Sequence, residues 1–170
     1  GGLEAGFVLA VFSVGSLAGG LAFGHIPIGP WAMARRLTVV AVGLTAAVFF
    51  VDEVTASTPW WVSLCLLVAG VGVAPALAVM FAMTSASVKF SETAEAYGWI
   101  GTGQLIGAAL GSAIAGFLID GVGPAGAYAA AAGFAILGAV VAAACVRGFP
   151  DLRGRDASPI PDTEPVPVIT

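Results

Sequence analysis

The sequence predicts an all-α fold, a polytopic transmembrane bundle of five membrane-spanning helices. Three observations carry that expectation. Of 170 residues, 59% are hydrophobic and only 9% charged, with a mean hydropathy of +1.01, whereas a soluble domain carries about 25% charged residues. The apolar residues gather in five runs, each long enough to cross roughly 30 Å of hydrocarbon. The few charges fall at the ends of those runs or beyond them. So little charge could not cover a soluble globule, and so much apolar surface excludes disorder for most of the chain. Six Lys and Arg against ten Asp and Glu give no basic balance that would suggest nucleic acid.

The first span covers residues 5–23 and contains no charge. The second is short between charges, because only Leu37 to Val51 separates Arg36 from Asp52. Begun at Ala32, it covers 32–51 and takes Arg35 and Arg36 into its first turns. Helical side chains lean toward the N-terminus, so both guanidiniums can snorkel to the near interface, with Trp31 as an interfacial anchor. The third span, 61–86, opens on Trp60-Trp61 and contains Pro75. The fourth, 94–119, lies between Glu95 near its start and Asp120, and the fifth, 125–146, stops before Arg147. Residues 1–146 thus form the bundle. Residues 147–170 hold five of the ten prolines with mixed charges, and read as a disordered cytoplasmic tail.

Five spans place successive loops on alternating sides. Arg35 and Arg36, Lys89, and Arg147, Arg153 and Arg155 then share one side. The other side holds Asp52, Glu53 and the uncharged turn Gly121-Val122-Gly123-Pro124. The positive-inside rule makes the cationic side cytoplasmic, with the N-terminus outside. The chain opens Gly1-Gly2-Leu3-Glu4, with neither Met nor a charged leader. It therefore reads as part of a longer protein with at least one span upstream.

Small residues recur at helical spacing. Gly15 and Gly19 lie four apart in the first span, as do Ser16, Gly20 and Gly24; Gly103, Gly107 and Gly111 stripe the fourth. Such stripes let backbones approach closely in lipid, either as ordinary bundle packing or as a sliding interface with another helical domain. Pro75, after Gly70-Val71-Gly72-Val73-Ala74, removes a backbone donor and bends a helix; the bend serves packing or lines a substrate site. Polar groups at depth are few: Gln104 with Thr102 in the fourth span, Ser13 and Ser16 in the first. Gln104 is the leading candidate to touch a substrate, an interhelical hydrogen bond being the alternative. No ionisable residue sits at the centre of a span, so no proton or ion relay is evident.

No catalytic site emerges. Gly101-Thr102-Gly103-Gln104-Leu105-Ile106-Gly107 mimics a nucleotide loop but lies inside a helical run with no strand before it. No Gly-x-Ser-x-Gly elbow occurs, and no His/Cys cluster is spaced for a metal. His25 is the single histidine, at a span boundary. Cys65 and Cys145 lie in apolar runs and suggest no disulfide framework. Neither cofactor nor metal is expected.

Three segments then carry a family resemblance. Phe12-Ser13-Val14-Gly15-Ser16-Leu17-Ala18-Gly19-Gly20-Leu21-Ala22-Phe23-Gly24, leading to Ala34-Arg35-Arg36-Leu37, resembles the eighth helix and following loop of the major facilitator superfamily. Leu67 to Pro75 is similar to that family's tenth helix, and Glu95-Ala96-Tyr97-Gly98-Trp99 with the glycine run to Asp120 is similar to the eleventh. The resemblance covers residues 5–146. It implies a secondary transporter built of two six-helix halves, of which this chain supplies helices eight to twelve. It implies further that the eighth and eleventh helices face the missing N-terminal half across a central cavity. The loop after the first span lacks the acidic residue that the family commonly carries there. The function so implied is the C-terminal portion of a small-molecule permease or exporter in the plasma membrane, proton-coupled and working by alternating access. The alternative is a non-transporting scaffold or assembly subunit that packs through its small-residue faces. The partners expected are the bilayer, the missing half and a small-molecule substrate.

Overall fold

In hydrocarbon a backbone amide finds no water, so a spanning segment must satisfy its own hydrogen bonds, which a helix does residue by residue. The computed structural model of the chain describes residues 2–51 and 58–163. It contains five long apolar helices: α1 Gly2–Phe23, α2 Ala32–Val51, α3 Thr58–Ser85, α4 Thr93–Val122 and α5 Pro124–Ala144. A 3₁₀ turn, Phe90–Glu92, precedes α4, and another, Val146–Gly148, follows α5. Among the described residues there is no strand, only an isolated parallel bridge between Lys89 and Ile160. Asp52 and Glu53, expected on the side opposite the cations, lie outside the described residues.

The helices pack in the order α1, α3, α2, α5, α4, with only a light contact between α3 and α4. The central helix, α3, runs unbroken through Pro75. Its glycines serve two neighbours. A Cβ placed on Gly70 would strike the Phe12 carbonyl of α1. One placed on Gly72 would lie 2.7 Å from the Arg36 carbonyl of α2. The approach is reciprocal: Gly15 and Gly19 of α1 abut the backbone at Leu67 and Val71, and Gly43 of α2 abuts Cys65 and Ala69.

Proline and glycine act together at one of these crossings. Pro75 has no N–H, so the carbonyl four residues earlier, that of Val71, loses its intrahelical donor. It is the Val71 carbonyl that Gly19 of α1 covers. Any larger residue at 19 would hold the two backbones apart. Aromatic pairs tie the opposite end of the same three helices: Phe7 meets Trp60 edge-on at 5.0 Å, and Phe50 stacks on Trp61 at 5.9 Å.

α4 differs. None of its residues is buried. It meets α3 through Tyr97, whose ring stands edge-on to Phe81 at 5.1 Å. It turns into α5 at Gly123, whose φ of 85° is open to glycine but strained for other residues, with Pro124 opening the new helix.

One expectation needs correcting. Residues 147–163, expected to be disordered, are laid across the cation-bearing end of the bundle. Leu152 is only 5% exposed and packs with Val79 and Met83, flanked by Ile28, Met33 and Phe149. Its N–H donates to the Ile28 carbonyl at 2.9 Å. Farther on, Phe90 donates to the Ile160 carbonyl and Ile160 to the Val88 carbonyl, both at 2.9 Å. Asp162 Oδ1 accepts from Ser91 Oγ at 2.7 Å and from the Ser91 N–H at 3.2 Å. A window average dominated by Pro and charge hides two apolar anchors, Phe149 and Leu152, while Ile160 is exposed and held through its backbone. The prolines suit a segment that crosses the bundle without a ladder of donors. Residues 164–170 lie outside the described residues.

Candidate functional site

Helical spacing puts Ser13 and Ser16 on neighbouring positions of α1, three apart. The structure brings both onto one shallow groove of about 380 Å³ bounded by Phe12, Leu17, Gly20 and Ala74. Ser13 is exposed and Ser16 half-buried. The Ser13 hydroxyl donates to the Leu9 carbonyl at 2.9 Å, the usual way an apolar helix satisfies a hydroxyl. Its oxygen keeps acceptor capacity toward the groove. Pro75, next to Ala74 on the groove wall, is itself buried.

Gln104 and Thr102 do not join that groove. Both are on α4 and exposed. The Thr102 hydroxyl donates to the Gly98 carbonyl at 2.9 Å, while no described group hydrogen-bonds the Gln104 amide. Gly103, Gly107 and Gly111 lie on the same open helix, and a Cβ at any of them would meet nothing within 4 Å. Gly15 and Gly19, by contrast, are filled by α3. Gly20 is an intermediate case, because its Cβ would sit 3.5 Å from that of Ala74, an ordinary contact. The candidate residues thus divide into a packed seam, a groove beside it, and a bare face on α4.

All six cations gather at one end. Arg35 and Arg36 open α2, Lys89 lies between α3 and α4, and Arg147, Arg153 and Arg155 follow α5. The tail's bonds to Ile28 and Val88 bring these three segments together. Arg153 grips Asp151 through two bonds, Nε to Oδ1 at 3.0 Å and Nη2 to Oδ2 at 2.8 Å. That guanidinium holds the Asp151 carboxyl below its usual range. Hydrogen bonds from Ser91 do the same for Asp162. His25 is exposed near this end.

Sequence reasoning missed Gly43, Gly70 and Gly72 as contact points, and the role of Arg153. The glycines carried a signal, each lying on a face of α2 or α3 that meets a neighbour. For Arg153 no local signal exists, since its place depends on the docking of Leu152.

Five membrane-length apolar helices, closely packed through glycine, define an integral membrane protein of the helical-bundle class. The family model described as Major Facilitator Superfamily matches residues 1–168, so the chain belongs to that superfamily of membrane transporters. Its members move solutes and are not enzymes. No curated protein and no solved structure gives a match.

Proposed function

We propose that this chain supplies helices eight to twelve of a proton-coupled small-molecule permease or exporter of the plasma membrane. In this reading α1 and α4 flank the central cavity, and the bundle rocks against an N-terminal half in alternating access. The observation that favours it is the bare face of α4: a helix with no buried residue presents Gln104 and an unfilled glycine stripe. Small residues on a spanning helix allow a second helix to approach closely. Gln104 and Thr102 on one side and Ser13 and Ser16 on the other offer hydroxyls and an amide to a substrate without placing charge in the bilayer. No Asp, Glu, Lys, Arg or His lies mid-span among the described residues, so the protonatable coupling group belongs to the other half. The cationic end faces the cytoplasm by the positive-inside rule.

The test is reconstitution of the full-length protein in vesicles with an imposed pH gradient, following a panel of radiolabelled small molecules. Gradient-dependent accumulation is expected for at least one, with none from residues 1–170 alone. Accumulation that ignores the pH gradient would overturn proton coupling, and transport by residues 1–170 alone would overturn the need for a second half. Absence of any flux, together with a stable complex through α4, would favour the scaffold.

A further inference from the structure

At the cationic end, a cavity of about 320 Å³ opens between the α1–α2 loop, the start of α2 and the tail. Among the described residues its charged lining is Arg35, Arg36 and Arg153, with no acidic residue. Its apolar walls include Phe23, Ile26 and Trp31. Asp151 offsets one charge by its grip on Arg153, leaving an excess of two. Arg36 Nη1 is buried and has no hydrogen-bond partner among the described residues. A buried donor left unpaired on a charged group is costly, so this guanidinium favours an acceptor beyond the described residues.

A second hollow shows what else that acceptor brings. A groove of about 940 Å³ runs between α2 and α5. It shares Trp31 and Arg35 with the cationic cavity and continues along α2 past Val42 to Phe49. On α5 its wall is formed by Ile136, Ala139 and Val140. From residue 31 to 49 a helix rises about 27 Å, close to the thickness of the hydrocarbon core. A cationic cavity at the membrane surface thus leads directly into a long apolar furrow.

We propose that these two hollows form one binding site for an anionic phospholipid. Its phosphodiester sits among Arg35, Arg36 and Arg153, and an acyl chain lies in the α2–α5 groove. Arginine suits this task because its planar fork can give two parallel bonds to a phosphate; the Nε–Nη2 edge of Arg153 is held by Asp151, so that residue offers its remaining donors. Arg153 reaches the cavity only because Leu152 is docked, so the tail completes the site. The lipid would join the α1–α2 loop, α2 and the tail across the surface of the bundle.

Native mass spectrometry of the delipidated full-length protein, titrated with dioleoyl phosphatidylglycerol or dioleoyl phosphatidylcholine, tests this. Phosphatidylglycerol should bind at least about tenfold more tightly, and R36Q or R153Q should each cost about tenfold in its affinity. Blocking the furrow with A139W should weaken phosphatidylglycerol too. R147Q and R155Q, at the same end but outside the cavity, should leave it unchanged. Should R36Q fail to fold, R153Q on the exposed tail carries the test alone. Equal affinity for the two lipids, or full binding by R153Q, would overturn the proposal. So would an equal loss in R147Q, which would mark diffuse surface attraction. Inorganic phosphate is the remaining arm: displacement of the lipid only at concentrations far above its own is expected. Tight phosphate binding that A139W does not affect would assign the cavity to a free anion and overturn the lipid.

Discussion

α1 and α4 carry the same kind of sequence, glycines four apart on an apolar helix, and the fold treats them in opposite ways. Gly15 and Gly19 of α1 are pressed against the α3 backbone, while Gly103, Gly107 and Gly111 of α4 face open space. Glycine at a crossing permits contact at van der Waals range, and in lipid that dispersion is much of what holds helices together. On α1 the contact is made, so those glycines are part of the bundle's stability. On α4 it is not, so they are free for something that packs from outside. The small-residue motif is therefore a licence for close approach, and the neighbour decides whether it is used.

The hardest blow to this contrast should come at Gly19. Gly19→Leu drives a side chain into the Val71 carbonyl, which is backbone and cannot swing aside. We expect a loss of about 3 kcal/mol or more, at or beyond the usual cost of overpacking, read as collapse of the thermal transition in detergent. A wild-type melt for this variant would mean that the α1 seam is loose and the contrast false.

Leu152→Ala asks how far the packed side extends. Removing a buried Leu costs about 2–5 kcal/mol in a core, and here the loss should fall on the tail. Hydrogen exchange at the Ile160 and Phe90 amides should accelerate while α1 and α3 stay protected. Unchanged exchange would show that the tail is held without Leu152.

α4 should behave in the reverse manner. Gly107→Leu meets no atom within the described chain, so stability should move by less than about 0.5 kcal/mol. On the proposed reading, in which a second half closes on this face, transport by the full-length protein should nevertheless fall about tenfold, or about 1.4 kcal/mol in the barrier. Gln104→Leu should likewise lower transport with expression unchanged. Full transport in both would make the α4 face a lipid-facing one.

The smallest effects mark the boundaries of the contrast. Gly20→Ala adds a methyl at ordinary contact distance from Ala74 and should leave the melt within about 0.5 kcal/mol of wild type. A large loss there would extend the tight seam beyond Gly15 and Gly19. At the tail, Asp162 is held below its usual range by bonds from Ser91. A lowered carboxyl pKa stabilises the folded form above the unfolded value and loses that contribution as pH falls through the folded one. The Ser91 tether should therefore hold at neutral pH and release only below about pH 4. Exchange at Ser91 that is flat through that range would assign the tether to the backbone bonds alone.

Much of this architecture could be read from residues alone, for a local reason. Whether a segment crosses a bilayer depends on its own length and apolarity, so five spans and the gathering of Arg35, Arg36, Lys89 and the tail arginines on one side follow from counting. The same holds for the family, whose likeness rests on the runs Phe12–Gly24, Leu67–Pro75 and Glu95–Asp120. Which glycines are filled did not follow, because a Cβ clash is a property of two helices and their crossing. The tail was misread for a related reason: Leu152 is one apolar residue among polar ones, and only the hollow formed by Val79 and Met83 makes it an anchor. With it comes Arg153, which sequence places far from Arg36 and the fold sets beside the same cavity. Sequence by itself determined what each segment is, since partition into lipid is decided segment by segment. The tertiary structure alone decided which surfaces are packed and which stay open, since contact energy belongs to pairs.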